Sequence, residues 1–145
     1  MPKGTTMSNK FLALVYNATA WANVADNASA SPLANIFIRL ATASYVPGDN
    51  ASANETVYTN YAGGVAVART TGGWTAPAAG ATSNVAAVEF PQCGVTGATI
   101  TSACATTAAS GTTDLWHHGD LNASIAVSNQ IQPRFAAGAI TITET

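Results

Sequence analysis

The chain has 145 residues, of which only 8% are charged, and its formal net charge is −2 at pH 7. Soluble domains carry about 25% charged residues, so this protein is short of the groups that keep proteins apart in solution. Its five basic residues are scattered along the chain, which argues against nucleic-acid binding, and no apolar run reaches the roughly 20 residues that span a bilayer. This composition favours a building block of an assembly over the alternative, an Ala/Thr-rich secreted domain.

Residues 1–34 are expected to form an N-terminal arm with one short helix and a loop. Ser8 is a suitable N-cap for a helix over residues 8–16. The apolar face of this helix is expected to consist of Phe11, Leu12 and Val15, with Tyr16 as a further candidate.

The Ala/Asn/Ser-rich residues 17–31 are expected to form a long loop or a frayed helix around Trp21, closed by Pro32. The apolar stretch at residues 11–16 is short for a secretory signal, so none is expected. Met7 is a second candidate start of translation.

From residue 35 onwards the chain has the periodicity of β-structure. Strands are predicted at residues 35–40, 65–69, 85–90, 98–105, 115–117, 124–128, 132–135 and 139–143. The connections, which include residues 78–82 and Gly119, are rich in Gly, Pro and Asn. Short strands separated by such turns are typical of all-β sandwiches and barrels. We therefore predict an all-β fold, with an antiparallel, jelly-roll-like sandwich over residues 35–145.

The strand edges of this domain lack the usual protection. Natural proteins guard exposed edges with lysine or with inward-pointing charges, but this chain has no lysine after Lys10. The edges are therefore expected to be closed in a barrel, covered, or paired with another subunit, which predicts a symmetric oligomer or docking on a partner.

Few residues are candidates for catalysis or metal binding. His117 and His118 lie close to Asp114 and Asp120, but successive side chains of a strand point to opposite faces, so one chain cannot chelate a metal with both histidines. Three copies of one histidine around a threefold axis would suit zinc or iron; a histidine hydrogen-bonded to an aspartate is the simpler interpretation. Because no known catalytic motif is present either, we predict no enzymatic activity, metal or cofactor.

Two cysteines, Cys93 and Cys104, lie eleven positions apart. A disulfide between neighbouring strands is one interpretation of this spacing. Two half-buried free thiols in a protein made in a reducing compartment are the preferred interpretation.

Seven segments, taken in order, resemble a family of small tailed-bacteriophage virion proteins. They are residues 45–49, 54–61, 65–69, 73–75, 90–93, 98–101 and 135–143. Members carry labels such as tail-fibre-like protein, and their genes lie among capsid and tail genes. For a compact member the resemblance implies a capsid decoration (cement) protein, made in the bacterial cytoplasm, that bridges subunits of the major capsid protein on the capsid surface. The alternative is a tail fibre or a receptor- or glycan-binding tail module.

The chain departs from the family pattern at Gly63 and Gly64. There the resemblance leads us to expect an arginine, shortly after the second tyrosine of a Glu-x-x-Tyr-x-x-Tyr motif, so an ion pair made by that arginine is in question here. Capsid positions with local threefold symmetry further imply a homotrimer. The residues expected to contact the partner are Phe11, Tyr16 and Trp21 in the arm, and Tyr58 and Tyr61 in the motif.

Overall fold

The computed structural model describes residues 5–21 and 33–144, which divide into two compact units. Unit 1 comprises Met1–Asn35, Val67–Ala87 and Phe135–Thr145, and unit 2 comprises Ile36–Ala66 and Val88–Arg134. The predicted boundary after residue 34 lies beside one border between the units, but unit 1 also includes two later segments. Most of the predicted loop at residues 17–31, and Pro32, lie outside the described residues.

One helix and eight strands make up the described chain, which confirms the predicted all-β fold with a short N-terminal helix. They are α1 (Thr5–Tyr16), β1 (Asn35–Ala41), β2 (Val65–Ala68), β3 (Ala81–Ser83), β4 (Val88–Glu89), β5 (Ala98–Thr106), β6 (His117–Val127), β7 (Arg134–Phe135) and β8 (Thr141–Thr143). The sheets are antiparallel where their register is defined.

Helix α1 begins at Thr5, so Ser8 lies inside the helix and is not its cap. The buried side chains of α1 recur every fourth residue, at Ser8, Leu12 and Tyr16, which is the spacing of one helix face. Phe11, which was predicted on this face, is 40% exposed instead. The apolar pattern was misassigned because the buried face includes a serine.

Trp74 is the largest buried side chain of unit 1. Its ring packs edge-to-face on Tyr16 at the end of α1, with 4.7 Å between ring centroids and 69° between ring planes, an arrangement that aromatic pairs favour. Asn84 is also buried, and its Nδ2 donates to the carbonyls of Ala86 and Ala136 at 2.8 Å while its Oδ1 accepts from the amide of Ile140. The Asn84 side chain thereby joins the chain directly after β3 to residues 136–140.

Strands β3 and β8 pair in unit 1, although residues 78–82 were predicted to be a loop only. Ala79 and Gly80 have φ values of +51° and +77°, and Ala78 and Ala81 exchange both backbone hydrogen bonds around them. Two central residues with positive φ make the tight turn that matches strand twist. Because alanine rarely adopts this conformation, the sequence did not indicate the turn.

Arg69 ties the C-terminal end of α1 to the rest of unit 1. It is 8% exposed, and its guanidinium donates to the backbone carbonyls of Leu14 and Val15, and to that of Leu33 at 3.1 Å. The last carbonyls of a helix lack intrahelical partners and carry partial negative charge. Burial lowers the pKa of Arg69, and hydrogen bonds to these carbonyls offset part of the cost of burying its charge.

Unit 2 is organised around a four-stranded sheet in the order β2-β1-β5-β6. Strand β1 pairs with β5 from Phe37 opposite Thr106 to Ala41 opposite Ser102. Its Ile, Phe and Leu side chains favour a buried strand, and the predicted strand at residues 35–40 is confirmed. Beside it, Tyr45 packs with Cys104 and the small residues Ala41 and Ala51.

Both cysteines are free thiols, as the preferred interpretation had it, but they are fully buried and not half-buried. Cys104 lies in β5, where its Sγ is 3.3 Å from the hydroxyl of Tyr45. Cys93 lies in the loop before β5, with its Sγ 3.4 Å from the carbonyl of Thr96.

Strand β6 replaces the two short strands predicted at residues 115–117 and 124–128, and Gly119 lies within it and not in a turn. Ile100 of β5 faces Ile125, but Ser102 faces Asp120. Residues 121–124 therefore form a bulge opposite Thr101 alone. The bulge interrupts the alternation of inward and outward side chains, and most side chains of β6 are exposed. The sequence of β6 therefore lacks the regular alternation of apolar residues that would have predicted one long strand.

Strands β4 and β7 are shorter than the predicted strands at residues 85–90 and 132–135. Each is flanked by a proline, Pro91 or Pro133, which cannot donate to a ladder. The amide of Phe90 donates to the carbonyl of Pro133 at 3.0 Å, and pairing there is limited to a few residues.

We expect Arg69→Met to lower the free energy of unfolding by about 3 kcal/mol, because buried carbonyls at the end of α1 lose a charged donor. Urea unfolding followed by circular dichroism measures this change. The matched control is Arg134→Met, since Arg134 is exposed. Equal losses from the two variants would show that the contacts at the helix end contribute nothing.

Candidate functional site

The first candidate surface lies on α1 and is called the helix surface: Met7, Lys10, Phe11 and Trp21. Met7 and Phe11, 48% and 40% exposed, stand four residues apart and therefore neighbour each other on the helix. The ammonium of Lys10 lies 5.6 Å from the centre of the Trp21 ring, within the range of a cation–π contact. Two of the predicted contact residues, Phe11 and Trp21, thus belong to a partly exposed apolar surface.

Tyr16 does not belong to the helix surface. Its side chain is completely buried against Trp74, and burial raises its pKa, so the phenol stays neutral. Tyr16 therefore packs the end of α1 against Trp74 and has no exposed surface that a partner could contact.

The second predicted contact, at Tyr58 and Tyr61, lies in unit 2. Tyr58 is 2% exposed, and its hydroxyl donates to the carbonyl of Pro91 at 2.9 Å. Burial, followed by the nearby Cys93, raises the pKa of Tyr58 to about 12. Tyr61 is half-buried, with its ring 5.2 Å from that of Tyr58 and stacked on Phe90 at 6.4 Å. Both tyrosines pack inwards.

Two valines beside these tyrosines are exposed instead. Val57 and Val95 are each 87% exposed. They lie beside two backbone hydrogen bonds that join their segments. The amide of Thr59 donates to the carbonyl of Thr96 at 2.8 Å, and the amide of Gly94 donates to the carbonyl of Thr59 at 3.0 Å. We call these two segments, residues 57–59 and 94–96, the Thr59 loops. Sequence reasoning missed them because irregular loops have no periodicity that indicates which side chain points outwards.

Arg39 and Glu55 form an ion pair in unit 2, with Arg39 buried and Glu55 partly exposed. Arg39 lies on β1 with no exposed surface, and both its Nε and Nη2 donate to the Glu55 carboxylate. Its Nη1 donates to the carbonyl of Gly111 at 2.8 Å. The hydroxyl of Tyr61 donates to Oε1 of Glu55 at 2.9 Å and accepts from the amide of Leu40. A two-point contact of this kind is the strongest geometry that arginine makes with a carboxylate.

The electrostatics of this network preserve its charges. Burial by itself lowers the pKa of Arg39, but the hydrogen bond and charge of Glu55 outweigh it, so the pKa is raised overall. Burial is also the main reason why the pKa of Tyr61 is raised, which keeps its hydroxyl a neutral donor. Both carboxylate oxygens of Glu55 are already engaged by Arg39. The arrangement is suited to fixing segments of chain in place.

Glu55 and Tyr61 belong to the Glu-x-x-Tyr-x-x-Tyr motif, and the structure shows that the arginine partner comes from β1. A Cβ atom on Gly64 would lie 2.7 Å from Cγ of Arg39, and one on Gly63, whose φ is +92°, would collide with the carbonyl of Ala109. Gly64 therefore allows the backbone to approach Arg39 closely, and Gly63 allows it to approach the backbone of Ala109. They have no room for the arginine that the resemblance led us to expect.

The histidine pair lies at the start of β6. His117 is half-buried, which lowers its pKa, and the neighbouring His118 lowers it further. His118 is exposed, with its ring 5.9 Å from that of Tyr45. Within residues 5–21 and 33–144, no group of three or more His, Cys, Asp or Glu side chains is placed to hold a metal ion.

We expect Glu55→Gln to destabilise the protein by about 3–5 kcal/mol, because it leaves a buried guanidinium without a counter-charge. Glu89→Gln, on the exposed side of β4, is the matched control. The double variant Arg39→Met/Glu55→Gln should lose less than Glu55→Gln alone, since it removes the unpaired charge as well. Urea unfolding of the four proteins measures these differences, and a double variant that is less stable than Glu55→Gln would contradict the expectation.

None of the described helices has the length and apolar character needed to cross a membrane.

Comparison with known proteins identifies the family. No curated protein matches the chain. A family model described as "Podophage GP4 fiber I protein gp80" matches residues 5–143, which includes the motif with Glu55 and both units. The chain therefore belongs to this family of phage virion proteins.

Proposed function

We propose that this chain is a capsid decoration protein that stabilises the phage head by bridging subunits of the major capsid protein. Membership of a family of phage fibre proteins makes it a structural virion protein. The observation that carries the finer proposal is the surface. Of the described basic residues, Arg39 and Arg69 are buried in internal contacts, so the surface is poorer in charge than the composition alone suggests.

The mechanism we propose is non-catalytic. Ala, Ser, Thr and Gly side chains lose little rotamer entropy when a neighbour covers them, so a surface rich in them suits permanent contact. The helix surface and the Thr59 loops add exposed apolar groups, which mark interaction sites when they are contiguous. Several such contacts to one shell would act together and raise the overall affinity. Three copies around a local threefold axis of the shell are the arrangement we propose.

A tail fibre, or a receptor- or glycan-binding tail module, is the second candidate, and it agrees with the family description, which names a fiber I protein. In that case exposed aromatic groups such as Trp116, 36% exposed, would serve a receptor- or glycan-binding tail module. The two functions differ in copy number and in position on the particle.

We expect this chain to be present in purified virions in numbers comparable to the major capsid protein. Quantitative gel densitometry or mass spectrometry of virions measures the ratio. A ratio matching only a few fibres at one vertex would contradict the decoration function and support the fibre. A reconstruction of the particle then gives the position.

We expect Phe11→Ser to weaken binding to shells assembled without this protein by about tenfold or more, as for a central apolar contact. Ile131→Ser is the matched control, because Ile131 is exposed to a similar extent, 43% against 40% for Phe11. Co-sedimentation with shells measures binding, and the unfolding midpoint of both variants should stay close to that of the parent. Equal binding of the two variants would remove the helix surface from the proposed contact.

A further inference from the structure

Strand β6 presents an exposed edge at the margin of the sheet in unit 2. In the order β2-β1-β5-β6 it pairs with β5 on one side only. Seven of its eleven residues are exposed, including His118, Gly119 and Asp120. It contains no lysine, arginine or proline, the residues that most often protect an edge from pairing with another chain.

The backbone groups of this edge can be assigned a direction. The hydroxyl of Ser102 on β5 donates to the carbonyl of Gly119 at 2.9 Å, so that carbonyl points towards β5. In an antiparallel ladder successive residues direct their N–H and C=O groups to opposite sides. The N–H and C=O groups of His118 and Asp120 therefore point away from β5, towards the outer side.

We propose that this edge pairs with the same edge of a second copy of the chain, antiparallel and about a two-fold axis at Gly119. His118 of one copy would then face Asp120 of the other, twice, and their outward N–H and C=O groups would form two reciprocal pairs of hydrogen bonds. The imidazole and carboxylate of these facing residues complement each other, whereas a shift of register by one residue would place each on the wrong face. This pattern of imidazole and carboxylate, self-complementary about Gly119, is what selects a second copy of the chain as the occupant.

Gly119 itself fits the position on the axis. A Cβ atom added there would meet no atom within 4 Å, so a side chain at this position has free space on that face of the sheet. In this pairing the two copies of Gly119 form a non-hydrogen-bonded pair, in which Cα atoms lie about 4.5 Å apart. The inference does not depend on whether the protein decorates the head or forms a fibre.

The bulge sets the extent of the contact. Residues 121–124 leave the ladder directly after Asp120, so the shared edge is limited to His118–Asp120 of each copy, because in this register His117 would face Leu121 of the other copy. A contact of this size is weak between free molecules and becomes effective where the particle holds two copies close together.

The experiment is disulfide trapping at the proposed axis with the full chain. Gly119→Cys should form a covalent dimer under mild oxidation, because the Cα separation of this pair suits a disulfide. The matched control is Asn122→Cys, also exposed on β6, whose two copies would stand about 20 Å apart in this register. The parent chain, with Cys93 and Cys104 buried, gives the background, and non-reducing gels with mass spectrometry identify the product.

A charge exchange in the Gly119→Cys protein tests the register separately. His118→Asp should lower the yield of the dimer by about tenfold, because like charges then face each other twice. Adding Asp120→His to that variant restores an opposite pair and should restore the yield. Thermal unfolding checks that each variant is folded.

Three results would overturn the proposal: equal trapping at positions 119 and 122, no trapping at position 119, or a yield that stays low after the double exchange. Trapping of a capsid protein in place of a second copy, with assembling particles as the sample, would also overturn it, since the edge would then serve a different partner.

Discussion

The ion pair between Arg39 and Glu55 is the interaction on which the rest of unit 2 depends. A guanidinium with no exposed surface is tolerated only when its charge and its donors are matched. The matching groups come from three places: the carboxylate of Glu55, the carbonyl of Gly111 and, through Glu55, the hydroxyl of Tyr61. These contacts fix the connecting segments around Glu55 and Gly111 to β1, and these segments have few apolar side chains that could do so.

The use of arginines in internal contacts also explains why the surface is poor in charge. Arg39 and Arg69 serve internal contacts, which leaves few basic groups on the outside of the units, beside small polar groups and exposed apolar side chains such as Phe11, Val57 and Val95. Such a surface gives little electrostatic repulsion between molecules. This is a disadvantage for a free protein at high concentration and an advantage for a component that stays bound in a particle.

Strand β6 combines an exposed edge with a bulge, and the two features have opposite effects. A long unprotected edge is a template for uncontrolled pairing, while a bulge interrupts the ladder and limits how far pairing can extend. Here the bulge leaves His118–Asp120 as a short segment with a self-complementary pattern. A two-fold contact there uses a different symmetry element from a threefold arrangement on a shell, so both can exist in one particle and would link neighbouring groups of three.

The sequence by itself determined the fold class, the strands at residues 35–40 and 98–105 and the family, because these depend on local periodicity, composition and the order of short motifs. Only the tertiary structure decided which side chains face outwards. Arg39 lies on an apolar strand, and the sequence offers seven acidic residues as partners for it, but its contact with Glu55, sixteen positions away, is fixed by folding. Tyr16 and Tyr58 became buried and Phe11, Val57 and Val95 exposed for the same reason: burial is set by what packs on a segment from elsewhere in the chain, and short helices and loops carry too few residues for their own pattern to show it.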